Sequence, residues 1–388
     1  MSPILPGATL GVLGGGQLGR MFVHAAQRMG YATAVLDPDA DSPAGRISQH
    51  HVHTDYDDVD GLARLAGLAD AITTEFENVP AAALDHLAAA RPVAPAAAAV
   101  AIAQDRTAEK AHFGRCGVAC APHAVIENAQ QLAAVPADLL PGILKTARLG
   151  YDGKGQRRVA DRAGLEAAWR DAGSVPCVLE KLLPLDFECS VVLARGIDGQ
   201  VVQYPPQRNL HRDGILAVTE VHAGGVPAEI ARRAAAAARS IAEGIAYVGV
   251  LCVEFFVLAD GSLVVNEMAP RPHNSGHWTM DACDVSQFEL QVRTLARLPL
   301  NPPRQHSAAI MLNLLGDLWF DEHGRFETPR WADVLALPGT HLHLYGKAEP
   351  RRGRKMGHLN ITGEDIATVR GTADFAAALL GLPIPLSE

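Results

Sequence analysis

The chain has 388 residues, 48% apolar and 20% charged, and a formal net charge of −9. At about 150 residues per domain this is room for two or three domains with real cores, and the balance excludes disordered and fibrous classes. The negative charge argues against an extended surface for nucleic acid or an anionic membrane, so neither partner is expected. The six cysteines (Cys116, Cys120, Cys177, Cys189, Cys252, Cys283) form no C-x-x-C pair, which suits buried, reduced thiols. With no basic leader in "MSPILPGATLG" and no run of ~18 apolar residues, a cytoplasmic location is expected.

The first hundred residues alternate strand and helix patterns. "ATLGVL" reads as a strand, "QLGRMFVHAAQRMG" as a helix closed by Gly30, "ATAVLD" as a second strand, "GLARLAGL" as a helix and "DAITTEF" as a third strand. Such alternation predicts a doubly wound parallel sheet. The alanine-rich stretch ending in "QDRTAEKAHF" leads into a further helix. From about residue 120, "GILKTAR", "CVLEKLL", "ECSVVLARG", "GQVVQYPP" and "GVLCVEFFVLADGSLVVNEM" read as strands with Gly, Pro and Asp-Gly punctuation, which suits antiparallel hairpins. "PAEIARRAAAAARSIAEGI" is a helix between them. After the Pro-rich "RLPLNPPRQ", short strands are expected at "AAIMLNLLG", "HLHLYG" and "GHLNIT".

"GVLGGGQLGR" contains G-x-G-x-x-G at Gly14, Gly16 and Gly19, followed by Asp37 at the end of the next apolar run. In outline this is a dinucleotide-binding fingerprint. The more informative stretch is "GVLCVEFFVLADGSLVVNEMAPR". A two-residue Asp260-Gly261 turn places Glu254 opposite Glu267, with Phe256, Leu258, Leu263 and Val265 on the same face. Two like charges facing each other in an apolar ribbon need a cation. An all-oxygen set points to Mg²⁺ or Mn²⁺, completed by nucleotide phosphates and water. Asn266 joins this site only if the strand bulges or ends there.

"KTARLGYDGKGQ" supplies a second Gly-rich loop, Gly150 to Gln156, whose amides could wrap phosphate oxygens, with Lys145 as a point charge at the strand end. In "VLEKLLPLDFE", Pro184 forces the chain out of its sheet, which exposes backbone for an adenine, and Glu188 could accept from ribose hydroxyls. "HHVH" (His50, His51, His53) reads as a solvated stretch rather than a metal cluster.

These pieces in this order resemble the ATP-grasp superfamily. With "GGGQLGRM", "TEFENVP", "YPPQRNLHRDGIL", "NEMAPRPHNSGHWTMDAC" and "GRKMGHLNI", the chain resembles the N5-carboxyaminoimidazole ribonucleotide synthetase family from about residue 8 to residue 365. The resemblance implies an α/β fold in three parts: a Rossmann-like pre-ATP-grasp domain (1–104), an ATP-grasp domain (105–300, lid about 120–188) and a small β-rich C-terminal domain (301–388). It implies an ATP site from Arg106, Lys145, Gly150, Tyr151, Asp152, Gly153, Lys154, Gly155, Gln156, the hinge Glu180, Lys181, Leu182 and Leu183, then Glu188, His211, Asn266 and Glu267. The implied metal ligands are Glu254 and Glu267.

The implied ribotide site comprises Gly16, Gln17, Leu18, Glu75, Glu77, Tyr151 and Asp152, with Lys347, Arg354 and Lys355 of the basic turn "GKAEPRRGRKMGH" on the 5′-phosphate. Arg271, His273 and Asn274, with Lys145, are the implied catalytic set: bicarbonate attacks the γ-phosphate of ATP, and the carboxyphosphate formed carboxylates the ribotide amine. A homodimer is implied as well. Two rivals remain: formate-dependent glycinamide ribonucleotide transformylase, and an NAD-dependent oxidoreductase. Under the favoured reading Gly16 and its neighbours hold the ribotide, and Asp37 is an ordinary strand-end acid.

Overall fold

The computed structural model describes residues 2–150 and 155–383. Four short apolar runs, β1 (Thr9–Leu13), β2 (Ala32–Asp37), β3 (His50–His53) and β4 (Ala71–Thr74), form a parallel sheet in the order β3-β2-β1-β4. Central β1 is apolar on both faces because helices cover both. Leu10, Val12, Phe22 and Val23 pack on one side, and Leu13, Leu36, Leu62 and Leu65 on the other. "HHVH" is the edge strand, and only Val52 of it is buried.

The Gly-rich turn after β1 is fixed by close approach. Gly14 has φ +102°, and a Cβ on Gly19 would lie 2.5 Å from the Gly14 carbonyl oxygen, so helix Gln17–Arg28 can dock only without side chains there. Asp37 is more than the expected strand-end acid. Its buried carboxylate accepts the Gly15 N–H at 2.6 Å and the Tyr56 hydroxyl at 2.7 Å, which pins the turn.

A second sheet, β5 (His123–Ile126), β6 (Gly142–Thr146), β7 (Gln156–Val159) and β8 (Cys177–Lys181), has the antiparallel order β5-β8-β6-β7. It packs Leu144 and Leu179 on Leu165 and Trp169 of helix Arg162–Asp171. Next in the chain come β9 (Leu185–Arg195), β10 (Val201–Gln203), β11 (Gln207–Arg212), β12 (Ile215–Val221), β13 (Gly249–Leu258) and β14 (Leu263–Ala269), then β15 (Ala308–Leu315), β16 (Thr340–Leu344) and β17 (Lys355–Gly363). They make one sheet, β14-β13-β9-β11-β12-β15-β17-β16, with β10 alongside β9.

The Pro-rich stretch therefore separates no sheet, because β12 pairs directly with β15 at Val218 and Leu312. Helix Ala228–Gly244 covers one part of the sheet through Ile230, Ala234, Ala238 and Ile241. Helix Ile366–Leu380, absent from the sequence reading, covers β15 and β17. Its start is marked by Asp365, which accepts the Thr368 N–H at 2.9 Å. All six cysteines are unpaired, and among the described residues no helix is long and apolar enough to cross a membrane.

Gly19→Ala should unfold at clearly lower denaturant, a loss of about 2 kcal/mol or more, because backbone rather than a flexible side chain meets the new methyl. A urea midpoint unchanged from the parent protein would remove the close-approach explanation.

Candidate active site

The β13–β14 hairpin sets Glu254 opposite Glu267, by a route the regular register did not anticipate. The loop has three residues, Ala259, Asp260 and Gly261, closed by Leu258 N–H to the Ser262 carbonyl at 2.8 Å, with Gly261 at φ +78°. That shifts the ladder by one residue, so Phe255 pairs with Val265. A bulge at Asn266 shifts it back before Glu267. Leu263 and Val265 consequently join the core with Phe255 and Val257, and Val264 lies opposite Phe256. The bulge also brings Asn266 onto the side of Glu267, where its Oδ1 accepts from Lys145 Nζ at 3.2 Å. A second bulge, at Leu210 and His211 of β11, lies in the same site.

The two glutamates differ in what holds them. Arg106 Nη1 lies 2.9 Å from Glu267 Oε2, and although burial raises the Glu267 pKa, Arg106 and Lys145 outweigh it and hold it down. Glu254 is buried with Oε1 lacking any hydrogen-bond partner and His273 Nε2 3.8 Å away. Burial pushes Glu254 upward, opposed by His211 and reinforced by Glu267. A half-neutralised all-oxygen pair with an orphaned buried carboxylate oxygen fits a hard divalent cation. Among the described residues no group of three or more His, Cys, Asp or Glu is arranged as a metal site, so the pair would need oxygens from a bound ligand to complete the shell.

Helix Arg106–Arg115 supplies more than the expected arginine. Arg106, Glu109 and Lys110 share one face of it at spacings of three and four residues. Lys110 Nζ lies 2.8 Å and Lys145 Nζ 2.9 Å from the two oxygens of buried Glu180. Burial raises the Glu180 pKa, but the two lysines hold it at about 2. The side chain of Glu180, a residue expected in the adenine hinge, thus also anchors Lys145. Glu109 accepts the Met268 N–H at 2.7 Å, and burial pushes its pKa up to about 8. The charge spacing in "RTAEK" was the available sign of both residues.

These groups line two adjoining cavities. The smaller, about 420 Å³, is bordered by Gly16, Gln17, Leu18, Glu75, Glu77, Gly150 and Arg271. The larger, about 710 Å³, is bordered by Lys145, Gln156, Glu180 to Leu183, Glu188, His211, Glu254 and Asn266. Arg106, Glu267, His273, Asn274 and Lys355 border both. Asn274 is buried, and neither end of its amide has a partner. Tyr151, Asp152, Gly153 and Lys154 lie outside the described residues. Gly155 closes the hairpin with φ +74° and borders neither cavity.

Four of the expected residues also carry contacts within the chain. Gly16 offers no spare amide, because its N–H donates to Glu75 Oε1 at 2.8 Å. Lys347 and Arg354 border neither cavity. Lys347 Nζ donates to the Lys355 carbonyl at 2.7 Å and Arg354 to the Glu349 carbonyl at 2.8 Å, so both shape the turn that presents Lys355. Arg271 is held by Glu77 and by the Pro272 carbonyl.

His273 is locked by a directed chain. Thr219 donates to Asn209 Oδ1 at 3.0 Å, which turns Asn209 Nδ2 to Ser190 Oγ at 2.7 Å. Ser190 donates to Ser275 Oγ at 2.8 Å, and Ser275 Oγ lies 2.8 Å from His273 Nδ1, which also accepts the Ser275 N–H. Nδ1 is thus an acceptor and the proton resides on Nε2. Burial, then Arg271, holds the imidazole well below its usual range, so His273 is a neutral donor facing Glu254.

A family model for the ribonucleotide synthetase preATP-grasp domain matches residues 7–104, one for the ATP-grasp domain residues 111–288, and one for the phosphoribosylaminoimidazole carboxylase C-terminal domain residues 309–372. N5-carboxyaminoimidazole ribonucleotide synthase of Brucella melitensis is 45% identical over 91% of this chain and 96% of its own. The chain belongs to the N5-carboxyaminoimidazole ribonucleotide synthase family. The Bacillus subtilis synthase is 39% identical over 92% of each chain. A synthetase of this family solved with ADP superposes with a TM-score of 0.89 at 37% identity, over 97% of this chain and 98% of that one. The Aspergillus clavatus synthase, solved with ADP and 5-aminoimidazole ribonucleotide, gives 0.88 at 30% identity over 96% and 98%.

His211 Nδ1 pairs with Glu188 Oε2 at 2.5 Å; burial lowers the His211 pKa, but the bond to Glu188 dominates and lifts it to about 9. A raised histidine stabilises fully below its unfolded value of about 6.5 and loses that contribution as pH rises through about 9. Urea unfolding of His211→Asn should therefore show its largest deficit near pH 6, at most about 3 kcal/mol, fading above about pH 9. A deficit independent of pH would mean the pair is not ionic.

Proposed function

We propose that the chain carboxylates the exocyclic amine of 5-aminoimidazole ribonucleotide with ATP and bicarbonate, a step of purine biosynthesis. The observation that carries this reading is the Glu254–Glu267 pair at the junction of two cavities, one orphaned carboxylate oxygen between them. ATP occupies the larger cavity. Lys181 and Leu182 already donate their amides to the Pro122 and Pro141 carbonyls, so the hinge donor to adenine falls to Leu183. Glu188 and His211 face the ribose, and Lys145, anchored by Glu180 and Asn266, meets the triphosphate with the loop amides around Gly150 and Gln156.

Glu254 and Glu267 would hold Mg²⁺ (or Mn²⁺), which supplies charge neutralisation on the transferring phosphoryl group. A bicarbonate oxygen attacks the γ-phosphorus in line; the new O–P bond forms as the bond to the β-phosphate oxygen breaks, and ADP leaves. Arg271 exchanges the Glu77 carboxylate for the carboxyphosphate anion. His273 Nε2–H and the unpartnered Asn274 amide orient it beside the ribotide amine. The amine nitrogen bonds to the carboxyl carbon, phosphate departs, and the amine proton leaves with it or to water. Closure of the lid over Gly150 protects the short-lived anhydride from solvent.

The ribotide occupies the smaller cavity against Gln17, Leu18 and Glu75, with Tyr151 and Asp152 of the lid, and Lys355 sits between it and the transferring phosphate. Lys347 and Arg354 support the 5′-phosphate end through the turn they shape. The homodimer, the cytoplasmic location and the division at residues 104 and 300 belong to this proposal through the family resemblance.

Phosphate release from Mg·ATP should be stimulated by aminoimidazole ribonucleotide with bicarbonate. Stimulation only by glycinamide ribonucleotide with formate would replace the assigned substrates. Glu267→Gln should lose at least about a hundredfold in kcat, because it releases Arg106 and one charge from the metal pair. Lys355→Ala should both raise the KM for ribotide and lower kcat; a change in neither would take Lys355 out of the site.

A further inference from the structure

His277 was not among the expected site residues, yet it borders the smaller cavity while only 1% exposed. Its ring orientation is set by one side chain. Gln287, fully buried on helix Gln287–Leu295, accepts the His273 N–H on Oε1 at 2.9 Å. That contact fixes the amide: the opposite end, Nε2, donates to the His273 carbonyl at 2.8 Å and meets His277 Nδ1 at 3.0 Å. An amide nitrogen has only hydrogens to offer, so His277 Nδ1 is an acceptor and the imidazole proton lies on Nε2. Gly276, between the two histidines, has no room for a Cβ against Gln287.

The remaining surroundings keep the ring neutral. Phe288 and Tyr345 pack on it at 5.7 and 6.3 Å, and the His358 ring at 4.6 Å. The Asn360 amide donates to the His277 carbonyl at 3.0 Å. Burial first, then the positive charge of Lys355 and Arg271, opposes a proton on Nδ1.

We propose that His277 is a permanently neutral Nε2–H donor to an acceptor of the bound ribotide, and that Gln287 is the positioning residue that sets this tautomer. The proposal rests on the substrate assigned above. A neutral donor suits a wall already lined by Arg271 and Lys355, because it discriminates by geometry without adding charge. The acceptor is a ring nitrogen or ribose oxygen, or a 5′-phosphate oxygen.

Nitrogen NMR of the ¹⁵N-histidine-labelled full-length protein should show His277 with Nδ1 unprotonated and Nε2 protonated from about pH 6 to 9. His277→Phe, which keeps the flat ring, should raise the KM for ribotide about tenfold or more, with KM for ATP and kcat at saturating ribotide nearly unchanged. His277→Gln should recover part of it. Gln287→Glu keeps the acceptor for the His273 N–H but presents a carboxylate to Nδ1, so it should move the proton to Nδ1 and reproduce the KM rise. Binding of the nucleoside without phosphate separates the acceptors: an equal loss in His277→Phe assigns ring or ribose, and a loss confined to the ribotide assigns the phosphate. A protonated Nδ1 in the parent protein, or an unchanged ribotide KM in His277→Phe, overturns the proposal. Absence of turnover in the parent protein would fault the substrate assignment, and the NMR result would stand apart from it.

Discussion

Two carboxylates directly opposite on a buried ladder repel each other, and the rest of the site is arranged around that repulsion. Desolvation makes each charge costly; Arg106 pairs directly with Glu267, and Lys145 and His211 add positive charge nearby. Charges then alternate away from the pair: Lys145 reaches Asn266 beside it and Glu180 behind it, and Glu180 is in turn held by Lys110. Glu254 has no such close ion pair: its Oε1 makes no hydrogen bond, and His211 opposes its charge from a distance. An orphaned buried carboxylate oxygen at the edge of the larger cavity fits the divalent cation proposed to arrive with the triphosphate.

The two histidines of the "HNSGH" turn solve the complementary problem. Arg271 and Lys355 already make this wall positive, and a further titrating cation would compete with them for the same anion. Hydrogen-bond locks on both Nδ1 atoms, by Ser275 for His273 and by Gln287 for His277, leave two neutral N–H donors. Their direction was settled when the chain folded, so little reorganisation is required during reaction.

Much of this was legible in the chain, though for reasons that differ by residue. The glutamate pair was inferred from a two-residue turn and a regular ladder, and both assumptions failed by one residue in opposite senses. The hairpin kept Glu254 opposite Glu267 because the bulge restored what the longer loop displaced. Bulges are poorly readable because they depend on which side chain the neighbouring strands require; here the requirement is Lys145, far away in sequence, reaching Asn266. Glu109 and Lys110 were overlooked although they repeat on the face of Arg106. Gln287 carried no local signal at all, since a glutamine in an amphipathic helix acquires its role only when the turn at 273–277 folds onto it. The basic turn had a part that local sequence does not show: the backbone carbonyls of Lys355 and Glu349 engage Lys347 and Arg354, so these side chains also hold the turn's shape.

The Gly-rich loop shows how a fold can be kept and its ligand changed by two acids. Strand, glycine turn and helix N-terminus have the geometry that elsewhere receives a pyrophosphate. Here Asp37 takes the Gly15 amide and Glu75 takes the Gly16 amide, so the helix dipole is already satisfied by carboxylates of the same chain. A dinucleotide phosphate would have to displace both carboxylates from these amides, which disfavours the oxidoreductase reading. The same substitution turns an anion cradle into a rigid, acid-lined wall with hydrogen-bond acceptors facing the smaller cavity. Such a wall complements the amine-bearing ribotide proposed for the smaller cavity.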